Sequence, residues 1–210
     1  ARFISWKLCR WLVHDSPDPA MVERVAETFR QSQGDLPRVL RAIAEDPLFF
    51  DPQNYRAKFK RPWEFVVSAL RVTGAEIVRA EAVLKALESM GEPLYRCPAP
   101  TGYYDQAEAW QDPGSMAARW TFASDLAAGR LRGVRISSDL YRNLDPSRPE
   151  TWKSTLAARI LPGIPLGEET SRSIDRLIES EKASPLNLKP EKTGPRIVAI
   201  LLGSPEFQKQ

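Results

Sequence analysis

The chain has 210 residues, 42% of them hydrophobic and 27% charged, a balance that suits a folded globular protein with a substantial core and excludes a disordered or low-complexity chain. A net charge of +3, with 30 basic residues interleaved among 27 acidic ones, is too weak a field to mark a nucleic-acid binder. No apolar run approaches the roughly 18 residues needed to span a bilayer. Cys9 and Cys97 allow at most one disulfide, and with a single histidine, His14, and no Cys-x-x-Cys spacing no zinc site is expected.

Proline punctuates the chain. Asp-Pro pairs occur at 18–19, 46–47, 51–52, 112–113 and 145–146, and Ser-Pro pairs at 16–17, 184–185 and 204–205. An Asp or Ser cap followed by Pro is a physical helix start, because the side chain accepts an orphan N–H and Pro has none to lose. The first helix is expected over about 1–13, with Phe3, Ile4, Trp6, Leu8, Trp11 and Leu12 on broad apolar faces. A second, about 19–32, carries Val22, Val25, Ala26 and Phe29 at helical spacing, and Gly34-Asp35 breaks it and opens a third over about 36–45. A fourth, about 62–73, is apolar on almost every side, and Thr73-Gly74 separates it from a fifth over about 75–90. A Pro- and aromatic-rich loop, 91–104, leads to a helix from Asp112-Pro113 to about Ala128. Segment 129–148 reads as irregular with a helical turn near Asp139–Asn143, and helices over about 149–160, 168–181 and 194–203 follow. Convincing period-two alternation is absent, so the expected fold is all-α: an irregular bundle of eight to ten short helices with long Pro-rich loops, forming one domain over 1–210. The run from Pro37 to Phe49 echoes that from Pro195 to Phe207, each an apolar helix closed by a capped Pro and then an anchoring Phe. Two copies make no repeat array.

Several of these runs, taken together, resemble a known family. They are Arg56 to Arg71, built around Pro62-Trp63-Glu64-Phe65; Pro100-Thr101-Gly102-Tyr103-Tyr104-Asp105 continuing to Glu108 and Trp110; Met116 to Ala123 with Arg119-Trp120; the opening Ala1 to Arg10; and the closing Leu201 to Phe207. The set is similar, in order and over nearly the whole chain, to the bacterial "domain of unknown function 1800" family. Segment 129–193 matches least well. The resemblance implies a helical, exported protein of the periplasm, envelope or extracellular space, often encoded beside a sulfatase-like partner. It also implies that this chain corresponds to the C-terminal half of a longer protein. It supplies no catalytic residue.

The fourth helix carries the sharpest chemical question. Glu64, Ser68 and Arg71 lie at i, i+4 and i+7 and share one face of an otherwise apolar helix, with Lys60 placed to pair with Glu64. They read first as a buried polar clamp that fixes helix register, and second as the wall of a binding cleft, with Glu64 as acceptor or acid and Arg71 as anion anchor. The loop bearing Tyr103, Tyr104, Asp105, Glu108 and Trp110 reads either as pinned by its aromatics or as a carbohydrate- or peptide-binding surface. Arg119 reads as reaching Glu64 or Asp105, or as lying along Trp120 at the surface. The basic run Arg56, Lys58, Lys60, Arg61 reads as a solvated surface and His14 as a helix-end residue. With one histidine, a Ser-His-Asp triad within the chain would have to use His14, and phosphate-loop and dinucleotide fingerprints are absent, so no cofactor is expected. The expected function is a binding or scaffold module for a partner protein or envelope polymer. The alternative is a polysaccharide hydrolase using Glu64, Asp105 or Glu108 as acids.

Overall fold

The computed structural model describes residues 1–182 and 188–210. The expected Ser184-Pro185 helix start lies outside the described residues. The chain divides into two compact units. The first comprises Ala1–Phe59, Tyr104–Ala109 and Lys209–Gln210, and the second Lys60–Tyr103 and Trp110–Gln208. Both are helical, as the sequence predicts. Among the described residues no helix is long and apolar enough to cross a membrane.

Three helices build the first unit: α1 (Arg2–Leu12), α2 (Pro19–Gln31) and α3 (Leu36–Glu45). Asp18 caps α2 as its Asp-Pro signature predicts, its carboxylate accepting from Ala20 N at 2.8 Å and Met21 N at 3.2 Å. Helical spacing on α2 buries Met21, Val22, Val25 and Ala26. Most of these pack with Cys9, Val13, Val39 and Ile43 into a small core, with Phe29 and Phe49 at its margin. Asp46 ends α3 and is gripped by both arms of the Arg24 guanidinium at 2.7 and 2.8 Å. Lys58, expected on a solvated basic surface, is instead buried: its ammonium donates to Asp15 at 2.6 Å and to the Arg10 carbonyl at 2.9 Å. The other Asp15 oxygen accepts from Ala107 N, which ties the 104–109 segment into this unit. His14 follows the end of α1, with Nδ1 3.0 Å from the backbone of Ser16.

The second unit holds α4 (Pro62–Val72), α5 (Glu81–Ser89), α6 (Pro113–Ala127), the single turn α7 (Asp139–Arg142), α8 (Trp152–Ile160), α9 (Glu168–Lys182) and α10 (Pro190–Gly203). Helix α10 packs on α6, α8 and α9. Phe65 of α4 stands edge-on to Phe122 of α6 and to Phe207, with ring centres 6.0 and 5.8 Å apart. Asp112 caps α6 by accepting from Ser115 N at 3.0 Å.

Three local expectations are corrected. The fifth helix begins at Glu81 rather than near residue 75, because Glu76–Ile77 (β1) pair antiparallel with Val134–Arg135 (β2). Gly133 permits that ladder. Its φ is +77°, and both Val78 N and Arg79 N donate to its carbonyl at 2.8 and 2.9 Å. A Cβ there would lie 2.7 Å from Arg79 Cβ.

Second, Asp46, Asp51 and Asp145 open no α-helix. Each accepts from the N–H two residues on, at Leu48, Gln53 and Ser147, and so closes a tight turn.

Third, the last helix starts at Pro190 rather than near 194, which leaves Pro195 inside it. The echoed segments therefore match at their ends and not at their starts. Phe49 N donates to the Asp46 carbonyl at 2.9 Å, and Phe207 N to the Ser204 carbonyl at 3.1 Å. Each unit uses the turn to set a Phe against its own core.

Candidate functional site

Pro62 at the first position of α4 leaves the N–H groups behind it to be satisfied by acids. Glu64 folds back and accepts from Arg61 N at 2.8 Å, closing a capping box. Glu92, immediately after Gly91, reaches the same helix end and accepts from Trp63 N at 2.8 Å, and the Arg61 guanidinium lies 3.6 Å from its other oxygen. Glu92 is only 4% exposed. Burial raises its carboxyl above the usual glutamate range, opposed by the Trp63 N–H and by Arg61.

Arg119 completes this cluster from α6. It is fully buried on the face that carries Ser115, Phe122, Ala123 and Leu126, while Trp120 points outward. Its guanidinium donates to Gln208 Oε1 at 2.8 Å and to the Lys60 carbonyl at 2.9 Å, and lies 5.1 Å from the Phe65 ring centre. Burial lowers its pKa to about 10 against the pull of Glu92, Glu64 and Asp112. The surface placement along Trp120 is therefore corrected.

The expected stripe divides along α4. Glu64 is half-buried in its cap, Ser68 is half-buried, and Arg71 is exposed in the last turn. About 10 Å of helix separates positions i and i+7, and among the described residues no ion pair joins Glu64 to Arg71. The buried-clamp reading of these three residues fails for that reason. The clamp that exists uses Glu92 and Arg119. The Lys60 ammonium sits 4.0 Å above the Phe207 ring. Neither Glu92 nor Gln208 carries a periodic signal, and only the Gly91 break before Glu92 hints at a chain turning inward.

The aromatic loop divides as well. In the second unit Tyr103 packs against buried Trp110 with ring centres 6.0 Å apart, and its hydroxyl donates to the Pro93 carbonyl at 2.6 Å. In the first unit Tyr104 is 70% exposed, Asp105 half-buried and Glu108 exposed. Among the described residues no group of three or more His, Cys, Asp or Glu side chains could hold a metal ion.

The second unit also carries a cleft of about 420 Å³ that the sequence did not mark. Trp120 forms one wall and is 56% exposed, yet it is held in place. Its Nε1–H donates to the Gly203 carbonyl at 3.1 Å, and a Cβ on residue 203 would come within 2.9 Å of its Cδ1. Glu169 and Ser173, one turn apart on α9, supply polar groups to its lining, and Ile200 and Pro205 supply apolar ones. Thr170 donates to Glu206 Oε2 at 2.8 Å, and Gly167 N donates to Glu206 Oε1. Burial alone would raise the Glu206 carboxyl, but hydrogen bonds from its own backbone N–H, Thr170, the Gly167 N–H and Ser204 together reverse the effect and leave it lowered. Glu206 thereby holds the start of α9 against the turn that ends α10.

No curated protein and no solved structure matches the chain significantly. One family model does, over residues 1–209, a span that takes in nearly all of both units. The chain belongs to the family described as "Protein of unknown function (DUF1800)".

Proposed function

We propose that this chain is a binding or scaffold module for an envelope polymer, working in the exported setting that the family resemblance suggests. The observation that carries the reading is the state of the buried charges. Asp46, Lys58, Glu92, Arg119 and Glu181 are the charged side chains buried among the described residues. Each is engaged by a structural partner: Arg24, Asp15, the Trp63 N–H with Arg61, Gln208 with the Lys60 carbonyl, and Arg196. Groups held this way fix helices. What the surface offers is aromatic: Trp63, Tyr104 and Trp120 are exposed, with carboxylates and hydroxyls near them in sequence or in space. Flat rings beside hydrogen-bonding groups suit hydroxyl-rich chains.

The test is co-sedimentation of the whole chain with insoluble peptidoglycan sacculi, β-glucan and chitosan, together with an assay for released reducing ends. Binding without release supports the reading. Failure to sediment with any of the polymers overturns it. Release of reducing ends that is lost in Glu64→Gln, Asp105→Asn or Glu108→Gln would establish the hydrolase instead.

A further inference from the structure

We propose that the cleft between Trp120 and the Glu169–Ser173 edge of α9 is the saccharide subsite of this module, and that it takes uncharged or amino-sugar units rather than acidic ones. The proposal rests on the polymer-binding reading above.

Three features of the cleft carry it. The first is a rigid platform. An indole more than half exposed would ordinarily be free to rotate, but here its N–H is committed to the Gly203 carbonyl. Residue 203 also has no side chain to push it away, since a Cβ would stand 2.9 Å from the ring. The ring's faces are left as its available chemistry, and the C–H face of a pyranose is the flat apolar partner such a ring takes. Pre-organisation of this kind removes much of the ordering cost of binding.

The second feature is the polar part of the lining. Glu169 and Ser173 are exposed and lie one helical turn apart, so a carboxylate and a hydroxyl face the same ligand edge. A carboxylate accepts from sugar hydroxyls or from an ammonium, and a serine hydroxyl can donate or accept. The Ser173 hydroxyl donates to the Glu169 carbonyl at 2.8 Å, which leaves its lone pairs for incoming donors.

The third feature is charge. The residues lining the cleft include a carboxylate and no Lys, Arg or His. A uronate or phosphate-bearing polymer would meet a like charge with no cation in the lining to offset it. Neutral units meet no such penalty, and amino sugars gain an ion pair.

The experiment uses the whole chain with soluble probes: cellohexaose, a chitosan oligosaccharide, and polygalacturonate as the acidic comparator. Tryptophan emission and calorimetry report binding. Wild type is expected to bind the first two, and the acidic polymer more weakly. Trp120→Ala is expected to weaken binding about tenfold or more, equivalent to about 1.4 kcal/mol. Gly203→Ala, which leaves the ring in the chain but displaces it, should lose affinity in the same direction. Glu169→Gln should abolish any advantage of chitosan over cellohexaose. If wild type binds and Trp120→Ala binds equally well in a folded protein, the subsite is elsewhere and only this inference falls. If wild type prefers polygalacturonate, the charge argument is overturned. If wild type binds none of the probes and none of the insoluble polymers, the function proposed above falls with it.

Discussion

Replacing Gly133 with Ala should cost the second unit far more than the same change at Gly129, although both residues have left-handed backbones, with φ of +77° and +67°. Holding an L-residue there costs about 1–2 kcal/mol at either site. At Gly129 nothing lies within 4 Å of the added methyl, so that is the whole penalty. At Gly133 the methyl would stand 2.7 Å from Arg79 Cβ and 2.8 Å from the Arg79 carbonyl oxygen, and neither is the end of a flexible side chain. The backbones must separate, which strains or breaks the two hydrogen bonds from Val78 N and Arg79 N, each with a net value of about 0.5–1.5 kcal/mol. The expected loss is therefore about 2–5 kcal/mol at Gly133 against about 1–2 kcal/mol at Gly129. With a urea m-value of about 2 kcal/mol/M, the two unfolding midpoints should differ by roughly 0.5–1.5 M, with Gly133→Ala the lower. Coincident midpoints at unchanged m would show that the β1–β2 ladder does not hold residue 133 as described.

The remaining predictions concern the buried charges and the thiols. Arg119→Met keeps most of the volume but removes the guanidinium that donates to the Lys60 carbonyl and to Gln208 Oε1. Relief from burying a charge offsets part of that loss, so a net destabilisation of about 1–3 kcal/mol is expected in urea unfolding. Saccharide affinity should be unchanged in the folded variant, and a lost affinity would return Arg119 to the binding site. Glu92 is raised by burial, so the folded state holds its proton more tightly than the unfolded state. Its contribution to stability should fall as pH rises from the ordinary glutamate range through the folded value, and Glu92→Gln should flatten the stability–pH curve in that window. Asp46, lowered chiefly by its hydrogen bond from Arg24, has the opposite sign. It stabilises above the ordinary aspartate range, the contribution fades as pH falls through the folded value, and Arg24→Ala should remove that slope. The Cys9 thiol is fully buried and pushed up to about 11 by burial and by Asp46, whereas Cys97 is half-buried. Ellman's reagent at pH 8 should therefore label one thiol quickly in the native protein and two in urea.

Most helices were legible because their signals are local. Asp18-Pro19 and Asp112-Pro113 carry the cap and the first turn in adjacent residues, and the α2 stripe reads directly as Val22, Val25 and Ala26 on the core. The same dipeptide failed at Asp46, Asp51 and Asp145 because one side-chain-to-backbone bond serves a helix cap and an isolated turn equally well. The residues after the Pro decide between the two outcomes, through whether they continue into a helix with a face to bury. The two-residue ladder could not be read as alternation, and its determinant, Gly133, looks like any loop glycine in sequence. The candidate site was less legible still. Glu64 breaks an apolar helix in the sequence, and in the structure it accepts from the N-cap of that same helix. The ion that the apolar core has to accommodate is Arg119, and its acceptors lie at residues 60 and 208. No spacing rule connects positions 89 residues apart. The same holds for Trp120, whose platform exists only because Gly203 of another helix comes to lie beside it.

The discontinuity of the first unit bears on how this protein can be dissected. A gene fragment stopping at Phe59 would encode α1, α2 and α3 with their small core, yet it would lack the Ala107 N–H that donates to Asp15. It would also lack residues 209 and 210, whose backbone pairs with Lys58 and Phe59. Limited proteolysis is therefore a better guide to boundaries than truncation. A nick in the exposed stretch around Ala99–Gly102 leaves both ends of each tie in place, whereas a shortened clone removes one of them. Expression trials that trim the last few residues should yield less folded protein than trials in which the 99–102 stretch is cut, even though the trimmed residues look expendable in sequence.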